Sequence, residues 1–218
     1  MSLAIFDLDN TLIAGDSDFL WGQFLVEQGI VDGDEYEQAN TKFYQDYKAG
    51  TLDISEYLDF ALRPLATNPH QQLLEWRQQF VEEKIKQLVL PKAQRRIDWH
   101  RNNGDTLLII TATNRFVTEL TAELYGVNNL LATNPEFIDG QFTGKVEGTP
   151  CYQDGKIINL DQWLSEGRES LVNESWFYSD SMNDIPLLQQ VDYAIAVDAD
   201  PILTKKAEDE GWLITSFR

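Results

Sequence analysis

Cysteine, histidine and basic residues are scarce in this chain of 218 residues. It contains one cysteine, Cys151, and two histidines, and its 17 lysines and arginines are outnumbered by 36 acidic residues, which gives a formal net charge of −19. A single cysteine excludes an intrachain disulfide and is typical of a reducing compartment. The negative charge argues against nucleic acid and anionic membranes as partners, since both need a basic surface, and it otherwise serves solubility.

Long apolar runs are also absent. No stretch approaches the roughly 20 apolar residues that a membrane span requires, and the N-terminus has no charged start followed by an apolar segment. We therefore expect neither a membrane anchor nor a signal peptide, and we expect a cytoplasmic protein. The two histidines, His70 and His100, stand alone and match no metal-ligand spacing, so neither is assigned to a site.

The pattern of apolar residues divides the chain into three parts. Residues 2–7 have the pattern of a short buried strand, and residues 17–88 show the periodicity of four helices without any strand signal. After Pro91, apolar strand-like runs alternate with helical segments, which is typical of a parallel sheet. We therefore predict an α/β protein: a doubly wound parallel-sheet core, residues 1–14 and 89–218, with an all-helical segment, residues 15–88, which we name the helical insert.

Polar residues follow several of the predicted strands. Residues 5–11 read IFDLDNT, so two carboxylates, Asp7 and Asp9, come at the end of the first strand, where open α/β sheets bind their ligands. Two adjacent acids repel each other, and a divalent cation such as Mg²⁺, together with water and phosphate, balances them. Alone, such a pair is equally typical of an acidic turn. The later polar residues are Thr111 after the second strand, Lys156 at a helix start, and Asp180, Asn183 and Asp184 after a later strand.

These groups of residues resemble the four motifs of the haloacid dehalogenase superfamily of phosphohydrolases. The matching segments are residues 7–11 (DLDNT), residues 109–111 (IIT), Lys156 and residues 180–184 (DSMND). The helical insert resembles the C1 cap of the phosphoserine-phosphatase-like subgroup. The resemblance covers essentially the whole chain, and it implies a Rossmann-like core that carries the catalytic residues and a cap that selects the substrate.

The resemblance implies a role for each matching residue. Asp7 is expected to attack phosphorus and form an aspartyl-phosphate, and Asp9 to protonate the leaving alkoxide and then activate the water that hydrolyses the intermediate. Mg²⁺ is expected to bind Asp7, the main-chain carbonyl of Asp9, and Asp180. The remaining expected roles are phosphate binding by Thr111, Lys156 and Asn183, and ligation or support of the metal by Asp184.

The supporting residues also have structural interpretations. Thr111 can be an ordinary strand-end threonine, and Lys156 a solvated lysine at a helix start, with Lys145 as a rival for its role. Asp184 can cap the helix that follows it. At the level of function, Asp9 argues against a dehalogenase, because haloacid dehalogenases proper lack the second acid. The sequence leaves two further functions open, a phosphomutase and a non-catalytic binding module.

The substrate is expected to carry an amino group. In phosphoserine phosphatases an acidic residue nine positions after the nucleophile receives this group, and Asp16 has that offset here. Their carboxylate-binding arginine is missing, since its position falls on Asp59, although Arg63 lies one turn further on and is a candidate substitute. Because the acid is kept and the arginine is missing, the sequence favours a monophosphate without a carboxylate, such as histidinol phosphate, over phosphoserine. Phosphoethanolamine and phosphocholine are also candidate substrates. Asp16 can instead cap the following helix.

Three aromatic residues, Phe19, Trp21 and Phe24, are expected near the entrance of the cap. Aromatic residues at helical spacing are usually core residues, but one of these can also stack on an imidazole or shield a quaternary amine. The expected partner is thus a small phosphorylated metabolite, and the chain is expected to be a monomer or a homodimer.

Overall fold

A seven-stranded sheet forms the centre of the computed structural model, which describes residues 2–168 and 173–218. The strands are β1 (Leu3–Phe6), β2 (Thr106–Asn114), β3 (Asn129–Ile138), β4 (Gln141–Glu147), β5 (Ser175–Ser179), β6 (Tyr193–Val197) and β7 (Leu213–Thr215). Their order across the sheet is β4-β3-β2-β1-β5-β6-β7, and all neighbouring strands are parallel except β3 and β4. The predicted α/β fold with a parallel sheet is confirmed.

Apolar side chains pack on both faces of the sheet, which explains why the central strands are uninterrupted apolar runs. In β1, Ala4 and Phe6 belong to one core and Leu3 and Ile5 to the other, because successive strand side chains alternate.

The α-helices of the described ranges are α1 (Ser17–Glu27), α2 (Gly33–Ala49), α3 (Ile54–Ala61), α4 (Arg63–Thr67), α5 (His70–Phe80), α6 (Pro91–Asn102), α7 (Arg115–Leu124), α8 (Asp154–Ser165), α9 (Ile185–Leu188) and α10 (Pro201–Glu210). In these ranges no helix is both long and apolar enough to cross a membrane.

The helices α1 to α5 come between β1 and α6, within the helical insert. A π-helical turn, Val81–Ile85, and a 3₁₀ turn, Lys86–Leu88, continue α5. The sequence predicts four helices in this segment, all of which is described, and the structure has five because the third one divides. Pro64 lacks the N–H that a continuous helix needs, and α4 begins one residue before it.

The two ends of the helical insert lie side by side. The backbone N–H of Ala14 donates to the carbonyl oxygen of Leu88 at 2.8 Å. Ile13 and Val89 form an antiparallel bridge next to this bond. The chain therefore leaves and rejoins the core at one place, a few residues after β1. The assignment of residues 15–88 to a separate domain stays a prediction.

Candidate active site

The carboxyl ends of the three central strands meet at one edge of the sheet. β1 lies between β2 and β5, with Phe6 opposite Ile109 and Tyr178. The backbone N–H of Asp7 donates to the carbonyl oxygen of Tyr178 at 2.9 Å, which fixes Asp7 one residue beyond β1. Six residues that the sequence motifs identify meet at this edge. Hydrogen bonds, or the effect of one charge on the pKa of another group, connect Asp7, Asp9, Thr111, Lys156, Asp180 and Asp184.

Lys156 joins two carboxylates inside the protein. Its Nζ lies 2.8 Å from Asp7 Oδ1 and 2.7 Å from Asp184 Oδ1, and the lysine side chain is only 2% exposed. Burial by itself lowers the pKa of Lys156, but the charges of Asp184 and Asp7 outweigh burial and hold that pKa above its ordinary value. Ser179 also donates to Asp184 Oδ2 at 2.6 Å. Lys156 is therefore a charged group held between two carboxylates.

Gly155 allows α8 to bring Lys156 to this place. A Cβ atom at residue 155 would lie 2.0 Å from the carbonyl oxygen of Pro150, which is closer than a side chain tolerates. Without that atom, the first turn of α8 packs against the loop before it, and Lys156 reaches Asp7. The rival lysine, Lys145, is exposed on β4 and has no part in the cluster.

Asp7, which is buried, and Asp180, which is half-buried, are two acids that repel each other. Burial raises the pKa of Asp7 to about 7, although Lys156 opposes this shift. Burial and the charge of Asp7 also raise the pKa of Asp180. The hydroxyl group of Thr11 donates to Asp180 Oδ1 at 3.2 Å and accepts the backbone N–H of Asp180 at 3.0 Å. Such a pair is suited to a bound cation, which would remove the repulsion.

Both oxygens of Asp9 accept hydrogen bonds. The backbone N–H of Ser17, at the start of α1, donates to Oδ1 at 2.6 Å. The hydroxyl group of Thr113 donates to Oδ2 at 2.8 Å, and that of Thr111 does so at 3.4 Å. Burial and the nearby charge of Asp16 raise the pKa of Asp9 to about 6, against the effect of these donors. Asp9 therefore changes its protonation state near neutral pH.

The oxygen donors around Asp7 fit a hard divalent cation. Asp7 and Asp180 offer carboxylate oxygens, and the main-chain carbonyl of Asp9 is a further oxygen donor close in the chain. In the described ranges no three His, Cys, Asp or Glu side chains are grouped closely enough to form a metal cage on their own. Mg²⁺ needs no such cage, because it binds through one or two carboxylates and keeps water and phosphate as its other ligands.

A cavity lined by α1, α2 and α3 opens onto Asp7 and Asp9. Its walls are largely aromatic. Phe19 stacks on Tyr44 with the ring centroids 4.7 Å apart, and Phe43 packs edge-on against Tyr57 at 5.4 Å. Within the described part of the chain, no lysine or arginine lines this cavity. The cavity therefore combines carboxylates with aromatic side chains.

Two further carboxylates, Asp16 and Asp18, line the cavity at the start of α1. Asp16 is the N-cap of this helix, as one interpretation of the sequence predicts, and its Oδ1 accepts the backbone N–H of Phe19 at 2.8 Å. Asp18 Oδ1 accepts a hydrogen bond from Asn114 Nδ2 at 3.4 Å. Burial raises the pKa of each carboxyl group to about 7, and the Tyr57 hydroxyl opposes the shift at Asp18.

Asn183 connects the core with the helical insert. Its Nδ2 donates to the carbonyl oxygen of Tyr47, near the end of α2, at 3.1 Å. Its Oδ1 accepts from the Tyr152 hydroxyl at 3.2 Å and from Gln153 Nε2 at 3.1 Å. The amide is held by protein groups on both sides, and the expected contact of Asn183 with phosphate stays a prediction.

Arg63 is not brought to the cavity. It is exposed at the start of α4 and lines a separate groove with Tyr36 and Phe60. The break between α3 and α4 separates Arg63 from the helix surface that faces the cavity. Asp59 is also exposed. The structure therefore does not support the expectation that Arg63 meets the substrate.

Of the three aromatic candidates, Phe19 lines the cavity, whereas Trp21 and Phe24 are buried core residues. This agrees with the core interpretation for two of the three. His100 lies outside the cavity, as its isolation in the sequence predicts, and its Nδ1 is 2.8 Å from Asp105 Oδ2.

Thr113 and Asp18 are two residues of the site that the sequence motifs do not include. Each repeats the residue type of a candidate two positions earlier, in residues 111–113 (TAT) and residues 16–18 (DSD). Residues two apart on a strand share a face, and this rule identifies Thr113 as a companion of Thr111. No comparable rule applies at the start of a helix, so no local sequence pattern places Asp18 in the site.

The carboxylates at the start of α1 are expected to make the ligand-free protein less stable as pH rises. The pKa of Asp18 is about 7 in the folded state and 3.8 in its ordinary environment. Between these values the folded state binds more protons than the unfolded state, so the free energy of unfolding falls as pH rises through this window and stays reduced above it. We expect Asp18→Asn to raise that free energy by roughly 1 kcal/mol at about pH 8, and by less at about pH 5.

Urea unfolding of the wild type, Asp18→Asn and the exposed control Asp34→Asn at both pH values measures this effect. The control removes the same charge from the first turn of α2, away from the cavity. A lower stability of Asp18→Asn than of the wild type at the higher pH contradicts the prediction, because it means that Asp18 serves mainly to stabilise α1.

Known proteins are similar to this chain in sequence and in fold. The family model for haloacid dehalogenase-like hydrolases matches residues 4–189. A histidinol-phosphatase of Neisseria meningitidis serogroup C (strain 8013) is 43% identical over 220 residues, which cover 100% of this chain and 99% of that protein. A solved structure of a protein with unknown function from Bordetella pertussis Tohama I has a TM-score of 0.94 at 37% identity, and the match covers 100% of this chain and 99% of that one. A substrate-bound phosphoserine phosphatase has a TM-score of 0.72 at 20% identity over 100% of this chain and 93% of that one, which is a likeness of fold alone.

The chain belongs to the haloacid dehalogenase-like hydrolase family. Within this family it is a phosphatase, an enzyme that hydrolyses phosphoric monoesters of small metabolites. This assignment sets aside a dehalogenase and a non-catalytic binding module.

Proposed function

We propose that this phosphatase hydrolyses an amino-bearing monophosphate, with histidinol phosphate as the preferred substrate and Mg²⁺ as the cofactor. The proposal depends above all on the composition of the cavity. Asp7 lies at its base and Asp16 and Asp18 on its wall, and no lysine or arginine of the described ranges lines it. Carboxylates favour an ammonium group, whereas the carboxylate of phosphoserine would be left unpaired. The relative from N. meningitidis, a histidinol-phosphatase, supports the same choice.

Asp7 is the proposed nucleophile. Lys156 binds its Oδ1, which leaves Oδ2 for attack on phosphorus. In this step the bond between Oδ2 and phosphorus forms, the ester bond between phosphorus and oxygen breaks, and the phosphoryl group is transferred to Asp7. Lys156 lies beside the reacting atoms as a fixed positive charge and offsets the negative charge of the phosphoryl oxygens.

Asp9 is the proposed general acid and general base. With a pKa of about 6, it can hold a proton near neutral pH and give it to the leaving alkoxide. The resulting carboxylate takes a proton from the water that attacks phosphorus on Asp7, which releases phosphate and restores both residues. Ser17 and Thr113 orient Asp9 through their hydrogen bonds in both steps.

The remaining roles concern the phosphoryl group and the metal. We propose that Thr111 and Asn183 contact phosphoryl oxygens and that Asp184 supports Lys156, which it binds at 2.7 Å. Phosphatases of this family generally use Mg²⁺, and here Asp7, the carbonyl oxygen of Asp9, and Asp180 would hold the ion. Bound there, Mg²⁺ supplies positive charge that neutralises the phosphoryl oxygens.

A phosphate-release assay tests the proposal. The substrates are histidinol phosphate, phosphoserine, phosphoethanolamine and phosphocholine, each with Mg²⁺, with a chelator, and with Mg²⁺ restored after chelation. We expect kcat/KM for histidinol phosphate to exceed the others by at least about tenfold, because it alone fills both the acidic and the aromatic parts of the cavity. Chelation is expected to leave less than about 1% of the rate, and restored Mg²⁺ to recover it. Preferred turnover of phosphoserine contradicts the substrate, and full turnover in chelator contradicts the cofactor.

A further inference from the structure

The two carboxylates at the start of α1 have different surroundings. Asp16 caps the helix, and it lies on the side of the cavity near Asp9, whose pKa its charge raises. Asp18 lies on the side of α3, where it faces the Tyr57 hydroxyl and raises the pKa of that group and of Tyr36. Both carboxylates line the cavity together with Asp7 and Asp9, so a substrate bound at Asp7 can meet each of them.

The second carboxylate is not needed to form the helix. A capping side chain satisfies one of the free N–H groups of the first turn, and Asp16 already occupies the cap position. Burial disfavours the charge that Asp18 adds, and the charge of Asp9 disfavours it further. Its protein partners are neutral: the Asn114 amide at 3.4 Å and the Tyr57 hydroxyl. An acid kept in such a place is suited to a positively charged or hydrogen-bond-donating group of a ligand.

The walls of the cavity that contains Asp18 include several aromatic side chains. Tyr57 and Phe43 form one edge-on aromatic pair, and Phe19, the residue after Asp18, stacks on Tyr44. All four aromatic side chains line the same cavity as Asp18. An aromatic surface next to a carboxylate binds a ring that is apolar on its faces and donates an N–H at its edge.

We infer that Asp18, assisted by the Tyr57 hydroxyl, is a specificity-determining residue that accepts the ring N–H of a substrate whose ammonium group binds Asp16. This inference rests on the proposed function and adds the residue that recognises the ring of the proposed substrate. A substrate with the ammonium group but no ring leaves Asp18 without a partner. A site built to bind a donor discriminates against an analogue that lacks it.

The test compares two substrates that differ only by the ring. Histidinol phosphate carries the ammonium group and the imidazole, and the phosphate ester of alaninol carries the same ammonium group without the ring. The readout is the ratio of kcat/KM for the two substrates in the wild type, Asp18→Asn, Tyr57→Phe and the exposed control Asp34→Asn, all with Mg²⁺. We expect Asp18→Asn to lower the ratio at least about tenfold and Tyr57→Phe to lower it by a smaller factor. Asp16→Asn is expected to impair both substrates, and Asp34→Asn to leave the ratio at the wild-type value.

Inhibition by histidinol and by alaninol provides a second readout that does not need turnover of a variant. We expect Asp18→Asn to weaken inhibition by histidinol and to change inhibition by alaninol much less. If the wild type hydrolyses histidinol phosphate and the ratio is the same in Asp18→Asn, the inference is wrong and the proposed function stands. If the wild type hydrolyses neither substrate, the proposed function fails, and the inference fails with it. If Asp18→Asn does not fold, an unchanged ratio in Tyr57→Phe contradicts the assignment.

Discussion

Replacing Asp7 with asparagine is expected to lower kcat for histidinol phosphate by about 10⁴-fold or more, with little change in folding. The amide cannot form the phosphoryl ester that splits hydrolysis into two steps. Its oxygen can still accept the hydrogen bond that Lys156 donates to Asp7 Oδ1 at 2.8 Å, so the buried cluster keeps its shape. Phosphate release measures the loss, and circular dichroism checks the fold.

The control for this prediction is Asp34→Asn, an identical change at an exposed position of α2, which should keep the full rate. Rapid acid quenching of the wild type during turnover should trap a phosphoryl group on the peptide that contains Asp7, and the variant should trap none. If Asp7→Asn keeps more than about a tenth of the rate, water attacks the substrate directly and Asp7 is not the nucleophile.

Replacing Lys156 with methionine is expected to lower the free energy of unfolding by about 3–5 kcal/mol and the rate by about 10³-fold. The lysine is almost fully buried, so its loss leaves Asp7 and Asp184 as unpaired charges inside the protein. The loss of stability should be smaller at about pH 5.5 than at about pH 8, because the pKa of Asp7 is about 7 even with Lys156 beside it, and protonation removes its buried charge. Urea unfolding at both pH values measures the difference.

Lys145→Met is the matched control, because it removes the same charge from an exposed strand position and should change stability by less than about 0.5 kcal/mol. Adding Asp184→Asn to Lys156→Met should recover part of the lost stability, since it removes one of the two unpaired charges. Equal stability of Lys156→Met and Lys145→Met at the higher pH contradicts the assignment of Lys156 to the buried cluster.

The core of the candidate site could be predicted because the short motifs that carry it resemble those of a known family. An apolar run that ends in two acids predicts β1 with Asp7 and Asp9 at its carboxyl end, and the parallel sheet then brings the later strand ends beside it. The choice of Lys156 over Lys145 follows from the helix context of Lys156. Gly155 is the physical basis of that context, because it permits the close approach of α8.

The substrate-binding wall could not be predicted in the same way, because its contacts join distant parts of the chain. Asp18 meets Asn114 and Tyr57, which are far from it in sequence. The exposure of Arg63 depends on the division between α3 and α4, and periodicity alone does not show where a helix divides. The resemblance of the motifs to those of the family therefore predicts the chemistry at the strand ends, whereas selectivity depends on how the helices pack.

The hydrogen bond from Ser17 to Asp9 has a consequence for how this enzyme can evolve. Ser17 begins the same helix whose start contains Asp16 and Asp18, so one helix both orients the proton donor and forms the wall that meets the substrate. A rearrangement that moved the start of this helix would remove the backbone N–H that holds Asp9. Descendants with new substrates should therefore keep the backbone at the start of α1, whereas the side chains at positions 16 and 18 and the lining residues of α2 and α3 can change while the catalytic carboxylates stay in place.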